Sequence, residues 1–202
     1  MTATATSSRR AIVAALAALG AVAIAACGSS AEQTAQPAAK GPGALARLRP
    51  AKAPSTWALA ALPHGGPTLA YPPSWRTMKA DPGTVSAALR SRRGLITGYL
   101  NATPQEGNET LADWRTFRPA HNADEGDRNV RLRASATGLR FRHGRGSCVI
   151  DDYATSTGQH YRELACIVAG ARSTTVVVGA APPSRWHRSG PVIDRAIESF
   201  VS

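Results

Sequence analysis

The chain has little negative charge to set against its positive charge. Thirteen aspartates and glutamates face 24 lysines and arginines, a formal net charge of +11 over 202 residues. Lysine is scarce: only Lys40, Lys52 and Lys79 occur, and the other 21 basic residues are arginine. Alanine is very frequent, so the arginine excess matches a high-GC genome and carries no function by itself. A membrane-spanning helix needs about 20 apolar residues, whereas the apolar run at 11–26, AIVAALAALGAVAIAA, has 16. The histidines His64, His121, His143, His160 and His187 include no pair at metal-ligand spacing. The chain has no Gly-x-Ser-x-Gly elbow and no glycine-rich phosphate loop opening a helix. These absences remove the recognisable zinc, serine-hydrolase and nucleotide chemistries, and neither a metal nor a cofactor is expected. No internal repeat is present.

What is there begins at the N-terminus. A polar start with Arg9 and Arg10, the short apolar run, and the stretch Ile24-Ala25-Ala26-Cys27 have the three parts of a secretory signal peptide. The small apolar tripeptide before Cys27 resembles a bacterial lipobox. That resemblance implies cleavage before Cys27 and lipidation of its thiol. Two or three acyl chains on one residue hold firmly, where a single chain holds only marginally. The expected location is the outer face of the cell membrane or the envelope, lipid-anchored. Export is expected through the general secretory route, and Arg9-Arg10 gives a weaker twin-arginine alternative.

Residues 28–56 are rich in Ala, Pro, Gly, Gln and Ser and read as a disordered tether from the lipidated Cys27. Residues 57–202 read as one globular domain. Without the signal the net charge is +9, from 22 basic and 13 acidic residues; from residue 57 onward it is +6, from 18 and 12. Basic residues near a lipid anchor are drawn to anionic head groups. The domain's charge favours an anionic partner. Nucleic acid is not expected outside the membrane.

Within the domain, Trp57–Leu62 reads as a short docking helix or the ordered edge of the tether. Thr68–Tyr71 reads as a strand, with a second short strand at Trp75–Met78. Asp81-Pro82 is expected to open a helix with Val85, Ala88 and Leu89 on one face, stopped at Gly94. Leu95–Leu100 follows as a strand. Thr110-Leu-Ala-Asp113 fits a capping box, and the helix after it should turn Leu111, Trp114 and Phe117 inward and end before Pro119. Val130, Leu132 and Ala134 alternate with arginine and serine, as do Leu139 and Phe141, with Thr137-Gly138 as a tight turn between. Gly-rich His143–Ser147 reads as a plain connection between strands, with a small anion nest as the lesser alternative. Thr174–Ala181 is a buried strand, and a closing helix from about Pro191 buries Ile193, Ile197 and Phe200. Arg131, Arg133, Arg140, Arg142 and Arg145 make a candidate basic binding surface.

Two cysteines remain beside Cys27, and an even pair in an exported chain points to a disulfide. A hairpin centred on Thr157 places Cys148 opposite Cys166, Ile150 opposite Leu164, Asp152 opposite Arg162 and Tyr153 opposite Tyr161. The same register sets Asp151 against Glu163, and like charges across a strand repel. In the preceding hairpin Arg133 would face Arg142. The two repulsive pairs are expected to meet in one network. A cation-binding or catalytic role for the acidic pair is the lesser reading.

Leu69-Ala-Tyr71-Pro72-Pro73-Ser74-Trp75 resembles the opening of PsbP-like domains, and the element order is similar over roughly residues 67–201. Anchor, tether and domain together resemble actinobacterial lipoproteins of the LpqN type. The resemblance implies an α+β fold, a central antiparallel sheet of about six or more strands flanked by helices on both faces. It carries no catalytic motif and implies partner binding. The expected function is therefore a non-catalytic module that binds an envelope protein or an anionic envelope component. The alternatives are an envelope hydrolase or a structural spacer. A cleft holding converging titratable groups would favour the enzyme, and a flat apolar or basic patch the binder.

Overall fold

The computed structural model describes residues 43–202; Cys27, the signal segment and the first part of the tether lie outside them. Order starts earlier than composition suggests. Residues Gly43–Ala46 form a one-turn helix, α1, and Leu45 and Leu48 are buried in the main core. The strap is held by the backbone bond from Ala51 to the Glu198 carbonyl and by an Arg47–Asp194 ion pair. The expected boundary at residue 57 is thus corrected: two leucines in a polar tract are enough to dock it.

Strands β1 (Ala58–Ala61) and β2 (Thr68–Tyr71) form a two-stranded ribbon. The main sheet has seven antiparallel strands: β3 (Arg76–Thr77), β4 (Val85–Arg90), β5 (Ile96–Pro104), β6 (Arg128–Phe141), β7 (Gly144–Ala154), β8 (His160–Gly170) and β9 (Thr174–Ala181). Their spatial order is β3-β4-β5-β9-β8-β7-β6. Helix α2 (Trp114–Asp124) covers one face and α3 (Trp186–Glu198) the other. The expected α+β architecture with helices on both faces is the observed one. Strand alternation explains it: Cys148, Ile150, Leu164, Cys166 and Val177 pack toward α3, while Val149, Ala165, Ile167, Val176 and Val178 pack toward Trp114 of α2. On the first face α3 comes so close that a Cβ on Gly179 would lie 2.3 Å from Ile193 Cγ2.

Several local readings are corrected, beginning with Trp57–Leu62, where Ala58–Ala61 is strand β1 and not a docking helix. The expected helix after Asp81 is strand β4. Pro82-Gly83 is a turn instead, with Gly83 at φ 87° and Thr84 N–H bonded to the Asp81 carbonyl at 3.1 Å; Pro then Gly at the centre of a turn is the type II composition. The face shared by Val85, Ala88 and Leu89 is overridden by pairing with β5. Helix α2 runs through Pro119 to Asp124. The bond that Pro119 forgoes would go to the carbonyl of exposed Arg115, where water can replace it. The expected capping-box bonds are present, with Thr110 N–H donating to Asp113 Oδ1 at 2.7 Å and Asp113 N–H to Thr110 Oγ1 at 3.3 Å, but they close a turn and the helix itself starts at Trp114.

Thr137-Gly138 is not a turn. β6 continues through it with a register shift, and Gly138 at φ 67° takes up the bulge. The hairpin turn lies at Arg142-His143, and Gly144–Ser147 already belong to β7. Finally, α3 begins at Trp186, with Pro191 inside it.

The β7–β8 hairpin has the expected register. Cys148 pairs with Cys166, with Ile150–Leu164, Asp151–Glu163, Asp152–Arg162 and Tyr153–Tyr161 following. The two sulfurs are bonded, and both cysteines are buried. Replacing both by serine should cost about 3 kcal/mol, the chain-entropy value for a loop of this size. Guanidinium denaturation of the oxidised protein against the double variant reads it. Equal midpoints would show that the bond does not constrain the unfolded chain.

Candidate polar cleft beneath helix α2

The acidic pair is resolved in a way different from the expected network. Asp151 and Glu163 face α2, and the cation they meet is Arg118. Its guanidinium grips Glu163 with two bonds, Nε to Oε1 at 2.7 Å and a second to Oε2 at 3.0 Å. Arg133 lies on the opposite face, where it and Arg162 both bind Asp152 at 2.7 Å. Arg162 also stacks over the Trp186 ring, 5.8 Å from its centroid. Arg142 does not oppose Arg133, because the turn assumed between them does not form. The acidic and basic pairs are therefore held apart by the sheet itself.

Continuation of α2 past Pro119 builds this site. It adds His121 and Asn122, about two turns beyond Trp114, to Arg118 at one turn; the Trp114 indole N–H anchors the helix on the Ala165 carbonyl at 3.0 Å. Asn122 then donates to Asp151 Oδ2 at 3.3 Å. Tyr153 donates to Glu163 Oε2 at 3.4 Å. Asp151 is fully buried, and among the described residues its Oδ1 has no hydrogen-bond partner. Burial first, and the facing Glu163 carboxylate second, push its pKa up to about 8, against the pull of Arg118. Burial likewise raises Tyr153, aided by Glu163, so the phenol stays a donor. Asp127 is raised by burial and by Glu163 and Glu125.

Beside this cluster opens a cleft of about 570 Å³ between α2 and the outer part of the sheet. Ser86, Tyr99, Asn101 and Thr103 form its sheet wall; Arg118, His121, Asn122 and Glu125 its helix wall; Tyr153, Asp127 and Glu163 its inner end. Its polar groups are tied to one another. Asn101 donates to Ser86 Oγ at 2.8 Å, Ser86 and Tyr99 share a bond at 3.2 Å, and Thr103 donates to Glu106 at 3.1 Å. The cleft is acidic within a basic domain: Lys79 and Arg118 stand against Asp81, Glu106, Glu125, Asp127 and Glu163. Among the described residues, no set of three or more His, Cys, Asp and Glu side chains is arranged to hold a metal.

The candidate basic surface is split. Arg131, Arg140 and Arg145 are exposed, and Arg140 lies directly opposite Arg145 on β6 and β7. Arg133 is committed to Asp152, and Arg142 is half-buried at the hairpin turn. β6 is an edge strand, and exposed charge on an edge also keeps other strands from pairing with it. The sequence did not point to Arg118, Asn122, Tyr153, Asp127, Ser86, Tyr99 or Asn101. One signal was present: Arg118 follows Phe117 and sits one turn after Trp114, on the inward face of an amphipathic helix, where a cation must have an anion.

Comparison with known proteins adds the fold. No family model matches the chain, and no curated protein matches it. Among solved structures, cyanobacterial PsbP (CyanoP) from Synechocystis is 16% identical, covers 73% of this chain and 92% of its own, and superposes with a TM-score of 0.51. The chain has a PsbP-like fold. LpqN of Mycobacterium tuberculosis, described as involved in cell envelope biogenesis, is 12% identical over 72% of this chain and 89% of its own, with a TM-score of 0.38. A Pseudomonas aeruginosa protein of unknown function is 13% identical over 73% and 98%, with a TM-score of 0.47.

Proposed function

We propose that this chain is an actinobacterial lipoprotein, anchored through Cys27 to the outer face of the membrane, whose PsbP-like domain binds an envelope partner without catalysing a reaction. The observation that carries the binding role is the cleft beneath α2. Its donors and acceptors are fixed in advance by bonds to one another, the condition for recognition at low ordering cost. Its excess of carboxylates selects a partner group that is polar or cationic. An anionic envelope polymer would instead meet the exposed arginines of the β6–β7 edge, Arg131, Arg140 and Arg145.

Converging titratable groups favour a second reading, an envelope hydrolase. Two features speak for binding over catalysis. Arg118 and Glu163 spend their charges on each other in a bidentate pair. Asp151, whose raised pKa would suit an acid or base, is fully buried with its Oδ2 held by Asn122.

In-cell crosslinking followed by mass spectrometry tests the reading, with Cys27→Ser and Asn101→Arg as variants. The expected result is a specific partner captured by the parent chain and lost both without the anchor and with a cation planted in the cleft. Intact mass should show diacylglyceryl on Cys27. No partner above background, or capture indifferent to Asn101→Arg, would remove the cleft from the function.

A further inference from the structure

The sheet treats two like-charged cross-strand pairs differently. Asp151 and Glu163 are relieved from within, by Arg118. Arg140 and Arg145 also lie directly opposite each other, on β6 and β7, and like charges so placed repel. Both are exposed, and among the described residues neither they nor Arg142 at the turn between them takes part in an ion pair. They belong to a stretch, 128–150, with six arginines and no aspartate or glutamate. Asp124, Glu125 and Asp127 stand just before it, so the uncompensated part is the second half of β6 and the β6–β7 turn. Acids on the elements packed nearby are engaged: Asp152 by Arg133 and Arg162, Asp194 by Arg47, and Glu198 by Arg195 at 3.7 Å. The terminal carboxylate of Ser202, whose N–H donates to the Arg142 carbonyl at 3.3 Å, offsets one of the three arginines.

A second observation concerns where the chain enters the domain. Helix α1 packs against β6. The strap behind it follows α3 to the same end of the strand: Ala51 bonds to the Glu198 carbonyl, and Val201, three residues on from Glu198, bridges to Arg142. Residues 33–80 contain no acid, and Arg49 and Lys52 of the strap are exposed. Only residues 28–42 separate Gly43 from Cys27, a reach of at most about 55 Å. The entry point and the uncompensated arginines therefore share one edge of the sheet.

We propose that the β6 edge rests on the anionic lipid surface to which the chain is anchored, with Arg140, Arg145, Arg49 and Lys52 meeting phosphate head groups. This rests on the anchoring proposed above, and it adds an orientation that acyl chains alone do not give. Arg140 and Arg145 stand on an open edge outside the α2 cleft, which suits a surface better than a small molecule. Attraction to such a surface grows with each basic residue and falls off within a Debye length, about 10 Å at 0.1 M salt. Four strand spacings separate β5 from β6, and each is about 4.8 Å. The sheet wall of the α2 cleft, on β4 and β5, thus stands clear of the bilayer and open to a partner.

The test is co-sedimentation of residues 27–202 carrying Cys27→Ser, a chain that holds every described residue, with vesicles of phosphatidylglycerol and phosphatidylcholine in equal parts. Vesicles of phosphatidylcholine alone are the control. Binding is expected on the anionic vesicles only, and it should be lost as salt rises to about 0.5 M. Arg140→Gln with Arg145→Gln should weaken it about thirtyfold, the effect of two basic residues near the surface. Arg92→Gln with Arg93→Gln makes the same charge change in the β4–β5 turn and should weaken it less than about threefold. All four side chains are exposed, so folding is not at stake. No binding to anionic vesicles, or an equal loss in the two double variants, overturns the proposal. Retention on soluble polyglutamate without vesicle binding would assign the edge to an anionic polymer and overturn it too. This chain carries no lipid, so either failure leaves the anchoring reading standing, and that reading fails separately if the intact mass shows no diacylglyceryl on Cys27.

Discussion

Replacing Arg118 by methionine is expected to destabilise the domain by about 3–5 kcal/mol, the usual cost of removing one partner from a buried ion pair. The size follows from what stays behind. Glu163 is almost fully buried and would lose two bonds from the guanidinium. Asp151 lies directly across the hairpin from it, so two buried carboxyl groups would face each other with no cation between them. Replacing both members, Arg118→Met with Glu163→Met, should recover most of the loss, since a well-packed apolar pair is often as stable as the ions it replaces. Chemical denaturation of the two variants decides it. A cost below about 1 kcal/mol for the single variant would be the value of an exposed pair, and the site would have to be open to water.

Asp151 gives the second large effect, on pH. Its folded-state pKa of about 8 lies far above the value near 4 of an unfolded aspartate. Below about pH 4 both states hold the proton and Asp151 contributes no slope. Between about pH 4 and 8 the unfolded chain releases it and the folded chain keeps it. Stability therefore falls as pH rises, by about 1.4 kcal/mol per unit, and levels off above 8. The groups that set this are Glu163 on β8, Arg118 and Asn122 from α2, and the nearby Asp152 and Asp127. Asp151→Asn should remove this share of the slope and be the more stable protein at pH 8. Denaturation midpoints of parent and variant from pH 5 to 8 measure it directly. Parallel curves would mean that Asp151 is ionised in the folded protein.

The legible parts of this fold were those fixed by local alternation and by pairing. The β7–β8 register followed from matching Cys148 to Cys166 and Asp152 to Arg162, because the side-chain period of two allows no half measures. The errors share a cause as well. Val85–Leu89 shows a helical spacing of apolar residues over a stretch too short to tell helix from strand, and only its position beside β5 decides. Pro119 reads as a stop, yet its missing bond falls on the solvent side of α2. Leu45 and Leu48 lie in an otherwise polar tract, and nothing local reveals that α3 leaves room for them. The cleft beneath α2 was illegible for the same reason: its walls come from β4, β5, β8 and a helix end placed wrongly by one proline.

The disulfide has a meaning beyond added stability. Cys148–Cys166 joins β7 to β8 near the middle of their pairing. Sliding one strand by a single residue would turn every side chain to the opposite face, sending Asp151 into the apolar layer under α3 and Asp152 toward Arg118. With the sulfurs joined that slide is closed. The bond acts as an address for charge: once formed, it fixes which carboxylates α2 finds when it lands.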